Sequence, residues 1–305
     1  MPETTQQVAV IGLGAMGLPM AGRLAPEFPV SAFDVAEQRR EAAAAQGAVP
    51  AATPAEAAEG ADVLLLAVRD QEQAEAALFG PDGAASTLPP GAAVVLTSTV
   101  GPPGARALAA ALPRQRFVDA PVSGGPLRAG KGDLLIVVGA EDAALAAARP
   151  VLDRLAGTLT VIGPRPGDGQ ALKAINQLLA GVHIAAAAEA VALARGIGLD
   201  PSVVVEALSQ GAASSFMLAD RGPRMLDAYA DGAEVRSRLD IFVKDMGIVT
   251  DLARDAHVPT PLAGAAQQLY LLGERAGLAA ADDSSVVTVL SPKDEPSGED
   301  RSPTA

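Results

Sequence analysis

The 305-residue chain is 49% hydrophobic and 19% charged, a balance that supports sizeable cores and argues against wholesale disorder. Its net charge of −13 disfavours a main role on nucleic acid or at an anionic membrane surface, although a local cation can still hold a small anion. There is no cysteine and only two histidines, His183 and His257, which excludes disulfides, thiolate catalysis and Cys-based zinc sites and leaves acid/base work to Lys, Asp, Glu or Tyr; no metal is expected.

Taken in chain order, Gln7–Leu13 is a short β-branched run ending at glycine and reads as a buried parallel strand. The polar, acidic segment before it does not resemble a secretory signal, so a cytoplasmic location is expected. Met16–Leu24 reads as a helix, Val30–Asp34 as a strand and Ala36–Gln46 as a second helix. Further strands are expected at Val63–Val68, Val94–Leu96, Arg116–Ala120, Leu134–Val138 and Thr158–Ile162. Strands alternating with helical segments imply a doubly wound α/β sheet, a Rossmann domain over residues 1–164.

Beyond Gly163 the pattern changes to all-helical. Gln170–Gly196 is one long Ala/Leu-rich helix, followed by helical segments at Val203–Gln210, Phe216–Leu226, Ile241–Ala256 and Pro261–Ala276. A second, all-α domain is therefore expected over 165–291, with a Pro/Ser/charge-rich disordered tail over 292–305. The run Ala174–Ala194 is apolar enough to suggest a membrane span, but Asn176, Gln177, His183 and Glu189 interrupt it, and a buried helix is the better account.

Four segments carry chemistry. Gly12-Leu13-Gly14-Ala15-Met16-Gly17 is a G-x-G-x-x-G between a strand and a helix. Gly12 suits the tight turn, Gly14 lets backbone approach a pyrophosphate, and Gly17 lets helix and strand pack closely. Asp34 ends the second strand at the expected distance; it can accept the adenosine ribose hydroxyls and repel a 2′-phosphate, so NAD is preferred to NADP. Asp119-Ala120-Pro121-Val122-Ser123-Gly124-Gly125-Pro126 could converge backbone amides and a hydroxyl on a carboxylate, although a structural Gly/Pro loop explains it equally well. Lys173, Asn176 and Gln177 share one helix face at i, i+3 and i+4. A buried lysine is drawn toward neutral pH and suits proton transfer, but a solvated lysine at a helix start is the simpler account from the residues alone. Lys244, beside Asp245 in an apolar stretch, could reach cofactor or substrate, or could simply be exposed. His183 reads as a core or interface histidine, and His257 as part of a helix end.

These segments, in this order, resemble the β-hydroxyacid dehydrogenase family, whose members include 3-hydroxyisobutyrate dehydrogenase. The match rests on Gly12–Met20, Asp119–Leu134, Gly167–Gln177 and Lys244-Asp245 and runs to about Leu290. Ile175–Ala194, Asp240–Val249 and Asp282–Val287 look most like its threonate dehydrogenase branch. The resemblance implies that Lys173 is catalytic and that Asn176 assists at the reacting hydroxyl. Ser123, Gly124 and Gly125 would bind the substrate carboxylate, with Gln177 beside them. Thr99, Val68, Arg69 and Lys244 would join Gly12 to Gly17 and Asp34 around the cofactor. It also implies a small hydroxy-acid substrate and a homodimer or homotetramer with the helical domain at the interface. Two stretches depart from the pattern: Ala212–Met217, which faces substrate in relatives, and the charged Arg69-Asp70. Reduction of an aldehyde, imine or phosphonate analogue on the same scaffold, and dinucleotide binding without turnover, are the rival expectations.

Overall fold

The computed structural model describes residues 5–230 and 232–292. The tail expected from Pro292 lies, from Lys293 on, outside the described residues. The chain divides into two compact units, Met1–Asn176 and Gln177–Ala305. The sheet ends at Gly163, near the boundary expected at 164, whereas the compact units divide later, inside the long helix.

The first unit is a nine-stranded sheet: β1 Val8–Ile11, β2 Val30–Phe33, β3 Val49–Pro50, β4 Val63–Leu66, β5 Ala93–Leu96, β6 Arg116–Asp119, β7 Val122–Ser123, β8 Leu134–Gly139 and β9 Ala156–Gly163. The order is β3-β2-β1-β4-β5-β6-β8-β7, with β9 paired to β8. All pairs are parallel except those of β6 and β7 with β8. Its helices are α1 Gly17–Leu24, α2 Glu37–Ala44, α3 Pro54–Ala58, α4 Gln71–Phe79, α5 Gly101–Ala110, α6 Gly125–Lys131, α7 Asp142–Leu155 and the start of α8 Asp168–Gly196.

Strands β1, β4 and β5 are buried along their whole length because helices cover both faces. Successive side chains take opposite faces. Val8, Val10, Leu65 and Val95 pack with Met20 and Leu24 of α1 and Val151 and Leu155 of α7. Ile11, Leu64, Leu66 and Val94 pack with Ala58 of α3, Leu78 of α4 and Leu108 of α5. The expected strands all form, shifted by a few residues at their ends. The two-residue strands β3 and β7 were not expected, nor were α3 to α7, whose Ala, Gly and Pro content blurs the helical period.

The second unit is helical: the rest of α8, then α9 Pro201–Ser209, α10 Phe216–Tyr229, α11 Leu239–Asp255, α12 Pro261–Gly273 and α13 Val287–Leu290. Helix α8 is long and apolar enough to cross a membrane by composition, with a mean hydropathy of 1.6 over its most apolar window, but half of that window is buried inside the protein. Gly181 shows why this helix can pack so closely: a Cβ there would stand 2.4 Å from Met246 Sδ, and its carbonyl accepts from Tyr270 Oη at 2.9 Å. Tyr270 in turn stacks on Phe242, with ring centroids 5.3 Å apart. His257 adopts a left-handed φ of 55° just past α11, where Val258 N donates to Ala253 O, so it ends the helix as expected.

Asp282, Asp283 and Ser284 are fully buried. Arg221 donates to both oxygens of Asp283, at 3.1 and 2.9 Å, and Arg224 pairs with Asp282. The Asp282-Asp283 pair thus anchors the end of the described chain to α10.

Candidate active site

The glycine-rich loop follows β1 directly. Gly12 has φ +91°, and a Cβ there would lie 2.5 Å from Ala67 O. A Cβ on Gly17 would lie 1.8 Å from Gly12 O, so only glycine lets α1 start where it does. Gly14 is different: nothing lies within 4 Å of its added Cβ. Its lack of a side chain is not required by the protein's own packing, and it leaves room for a ligand against backbone. A groove of about 420 Å³ opens here, lined by Leu13, Gly14, Ala15, Leu18, Arg39 and Pro126 among others.

Two substitutions separate these roles. Gly14→Ala should fold with a melting temperature close to wild type and lose affinity for the dinucleotide. Gly17→Ala should be destabilised by several kcal/mol or fail to fold, because it drives a methyl into backbone. Thermal melts and NADH titration of both variants check this; equal behaviour of the two would refute the distinction.

Asp34, 6% exposed, directly follows β2 and accepts from Leu13 N at 2.8 Å and Ala36 N at 2.9 Å. It therefore braces the glycine-rich loop. Arg39 lies 3.4 Å from it, a cation that the sequence reading had not singled out. Val68 and Thr99 follow β4 and β5 and are half-buried. The Val68 amide donates to Ser98 Oγ at 2.9 Å. Arg69 is exposed and paired with Asp70, which caps α4 through Gln73 N; the charged departure noted at this loop has a local structural cause. Ser123 lies in β7, and Gly124 and Gly125 follow with φ +140° and +75°. Only glycine takes both conformations without strain, and the turn leaves this loop's amides free of side-chain bulk. Gly12, Val68 and Thr99 thus lie just beyond the ends of β1, β4 and β5, and Ser123 ends the short β7 of the same sheet; open α/β sheets bind ligands beyond their strand ends.

Lys173 lies in the second turn of α8 and is 8% exposed, so it is a buried lysine rather than a solvated one. The start of α8 is held by two residues that sequence reasoning missed. Asp119, fully buried, accepts from Gly167 N at 2.9 Å, Gln170 N at 3.0 Å and Gln170 Nε2 at 2.9 Å. Burial raises its carboxyl to about 6, against the opposing pull of those hydrogen bonds. Asn176 closes the first unit and is half-buried.

In the second unit, Gln177 Nε2 donates to Asp245 Oδ2 at 2.6 Å, and Lys244 Nζ lies 2.7 Å from Asp245 Oδ1. The 2%-exposed Asp245 therefore joins two expected site residues, Gln177 and Lys244. A carboxylate beside a lysine in an apolar helix was the available signal for it. Ser215 caps α10 through Leu218 N, which accounts for one residue of the divergent Ala212–Met217 stretch.

The family model for the NAD binding domain of 6-phosphogluconate dehydrogenase matches residues 7–163. That for the NAD-binding domain of NADP-dependent 3-hydroxyisobutyrate dehydrogenase matches residues 167–290. The chain is similar to L-threonate dehydrogenase of Cupriavidus necator, 41% identical over 289 residues, covering 94% of this chain and 96% of the relative. It is similar in structure to a 3-hydroxyisobutyrate dehydrogenase of Salmonella typhimurium, with a TM-score of 0.87, 37% identity and coverage of 93% and 99%. A Mycobacterium tuberculosis 3-hydroxyisobutyrate dehydrogenase solved with L-serine has a TM-score of 0.79 at 27% identity, covering 94% of this chain and all of that one.

Proposed function

The chain belongs to the β-hydroxyacid dehydrogenase family, as a hydroxy-acid dehydrogenase similar to 3-hydroxyisobutyrate dehydrogenase, and on that premise we propose that it oxidises L-threonate or a close hydroxy-acid analogue with NAD, using Lys173 as general acid/base. The observation that carries this reading is the burial of Lys173 on a helix start tied to the sheet. A lysine there has no solvation to explain it, and proton transfer at a dry site is the task such a group suits.

Gly12 to Gly17 and the α1 N-terminus hold the diphosphate, Asp34 the adenosine ribose, and Val68, Arg69, Thr99 and Lys244 the rest of the cofactor. Nicotinamide, when bound, supplies the hydride acceptor. Ser123 and the Gly124-Gly125 amides hold the substrate carboxylate, and Asn176, with Gln177, orients the hydroxyl. Neutral Lys173 takes the hydroxyl proton as the carbon is oxidised and returns it in the reverse reaction. Asp34 favours NAD over NADP, because a 2′-phosphate would meet its carboxylate; the neighbouring Arg39 softens that preference. The enzyme is read as cytoplasmic and as a homodimer or homotetramer. Ile175, Leu179 and Leu193 of α8, with Ile197 just past its end, leave apolar surface exposed, which self-association would cover.

The test is NADH absorbance with threonate, erythronate, 3-hydroxyisobutyrate, glycerate and tartrate, each with NAD and NADP, run beside light scattering of the same preparation. NAD-linked turnover on threonate by an oligomer is the expected result. Silence on the whole panel despite NAD binding would overturn the substrate class, preference for NADP the role of Asp34, and a monomer the assembly.

A further inference from the structure

Gln170, fully buried one turn before Lys173, uses every polar position of its carboxamide. Its Oε1 accepts from Val100 N at 2.9 Å and Gly101 N at 3.1 Å. Its Nε2 donates to Ser98 O at 3.0 Å and to Asp119 Oδ1 at 2.9 Å. Thr99 is therefore bracketed by Ser98 and Val100, both bound to this one side chain. Asp119 stands four residues before Ser123, and its other oxygen holds the Gly167 and Gln170 amides. Gly169 lets the helix start come this close, since a Cβ there would lie 2.9 Å from both Asp119 O and Val137 O.

We propose that Asp119 and Gln170 form a buried clamp that positions Lys173 relative to the Thr99 and Ser123 loops for the hydroxy-acid reaction. They are positioning residues, acting through the groups they hold. This rests on the catalytic role of Lys173 given above. Three loops that carry separate parts of the site converge on one carboxylate and one carboxamide, so a small error at either is passed to all three.

The electrostatics support a functional reason for the carboxylate. Burial raises its carboxyl, and hydrogen bonds from Gln170, Gly167 and Gly169 pull it back down. Because its carboxyl is raised from 3.8 to about 6 on folding, its stabilising contribution is fully present below pH 3.8 and is lost as pH rises through about 6. At neutral pH the protein keeps an ionised group that costs stability, in the form that accepts hydrogen bonds at both oxygens.

The experiment exchanges the two polar groups in the full-length enzyme. Asp119→Asn sets an amide N–H against other donors, and Gln170→Glu sets a carboxylate against Asp119 and the Ser98 carbonyl. The double exchange restores the hydrogen bond between the two positions, with the amide at 119 donating to the carboxylate at 170, while the Ser98 carbonyl still loses its donor, so recovery is partial. Each single variant should lose roughly 10- to 100-fold in kcat, measured well below its own melting temperature, and Gln170→Glu, which buries a second carboxylate beside Asp119, should also melt lower than wild type. The double variant should recover about tenfold or more over the weaker single. Single variants with wild-type kcat, or a folded double variant no faster than either single, would overturn the clamp. Where a single variant does not fold, the double decides: folded and active supports the proposal, folded and inactive refutes it.

A second readout needs no substrate. The chain has four lysines, Lys131, Lys173, Lys244 and Lys293, so reductive ¹³C-methylation gives a small set of NMR signals, with Lys173 assigned through Lys173→Arg. The Lys173 signal should move in Asp119→Asn and return in the double exchange, while Lys131 and Lys293 stay put. An unmoved Lys173 signal refutes the clamp even if no hydroxy acid is turned over, the latter being a failure of the proposed activity alone.

Discussion

Lys173→Ala is expected to leave a folded protein that binds NADH like wild type and turns over threonate at least ~100-fold more slowly. A positioned acid/base group contributes about 10²- to 10⁴-fold, and nicotinamide cannot take the hydroxyl proton itself. Folding should survive, because alanine is the best helix former and α8 continues for several turns on either side of the second unit's start. Lys173→Arg is the sharper control. A guanidinium stays protonated at working pH, so it keeps the cation and cannot act as a base. Both variants should therefore fail in the oxidative direction, measured as kcat from NADH absorbance beside a fluorescence titration of NADH binding. Wild-type turnover in Lys173→Ala would remove the lysine from the mechanism, and lost NADH binding would make it a cofactor-site residue instead.

Arg221→Leu is the substitution expected to cost most in stability. Arg221 binds both oxygens of Asp283 and lies 2.6 Å from Asp220, and Asp283 is fully buried. Removing one partner of such a pair strands the other, at about 3–5 kcal/mol. Arg224, 3.6 Å from Asp283, compensates only in part and is itself engaged by Asp220 and Asp282. A melting temperature lower by on the order of 10 °C is expected. Burial already raises the Asp283 carboxyl, while Arg221 pulls it back down. A raised carboxyl favours the folded state below its unfolded value and loses that contribution as pH rises through its folded value. Without Arg221 the carboxyl rises further, so the deficit should shrink as pH is lowered and Asp283 takes up a proton. Adding Asp283→Asn should recover much of the loss at neutral pH. A single variant that melts like wild type at every pH would show the cluster to be energetically idle.

What the sequence by itself determined were features whose signal is local. The runs at Gln7–Leu13 and Val63–Val68 became fully buried strands, because an apolar stretch with no polar face can only lie inside a sheet covered on both sides. The glycine spacing from Gly12 to Gly17 named a turn that tolerates no Cβ at its ends and leaves open space at its middle. The loss of β-branched runs after Gly163 marked the change to helices, and the Ala/Leu-rich run of Gln170–Gly196 named one long helix.

Only the tertiary structure decided which polar groups meet. Gln170 reaches Asp119 across 51 positions, Gln177 reaches Asp245 across 68, and Arg221 reaches Asp283 across 62. Each of these residues alone looks like a helix-start amide, an acid beside a lysine, or a surface charge. Lys173 shows the limit most plainly: its spacing to Asn176 and Gln177 was legible, while its burial was not. Periodicity places a side chain on one face of its own helix, but whether that face is dry depends on the strands and loops folded against it.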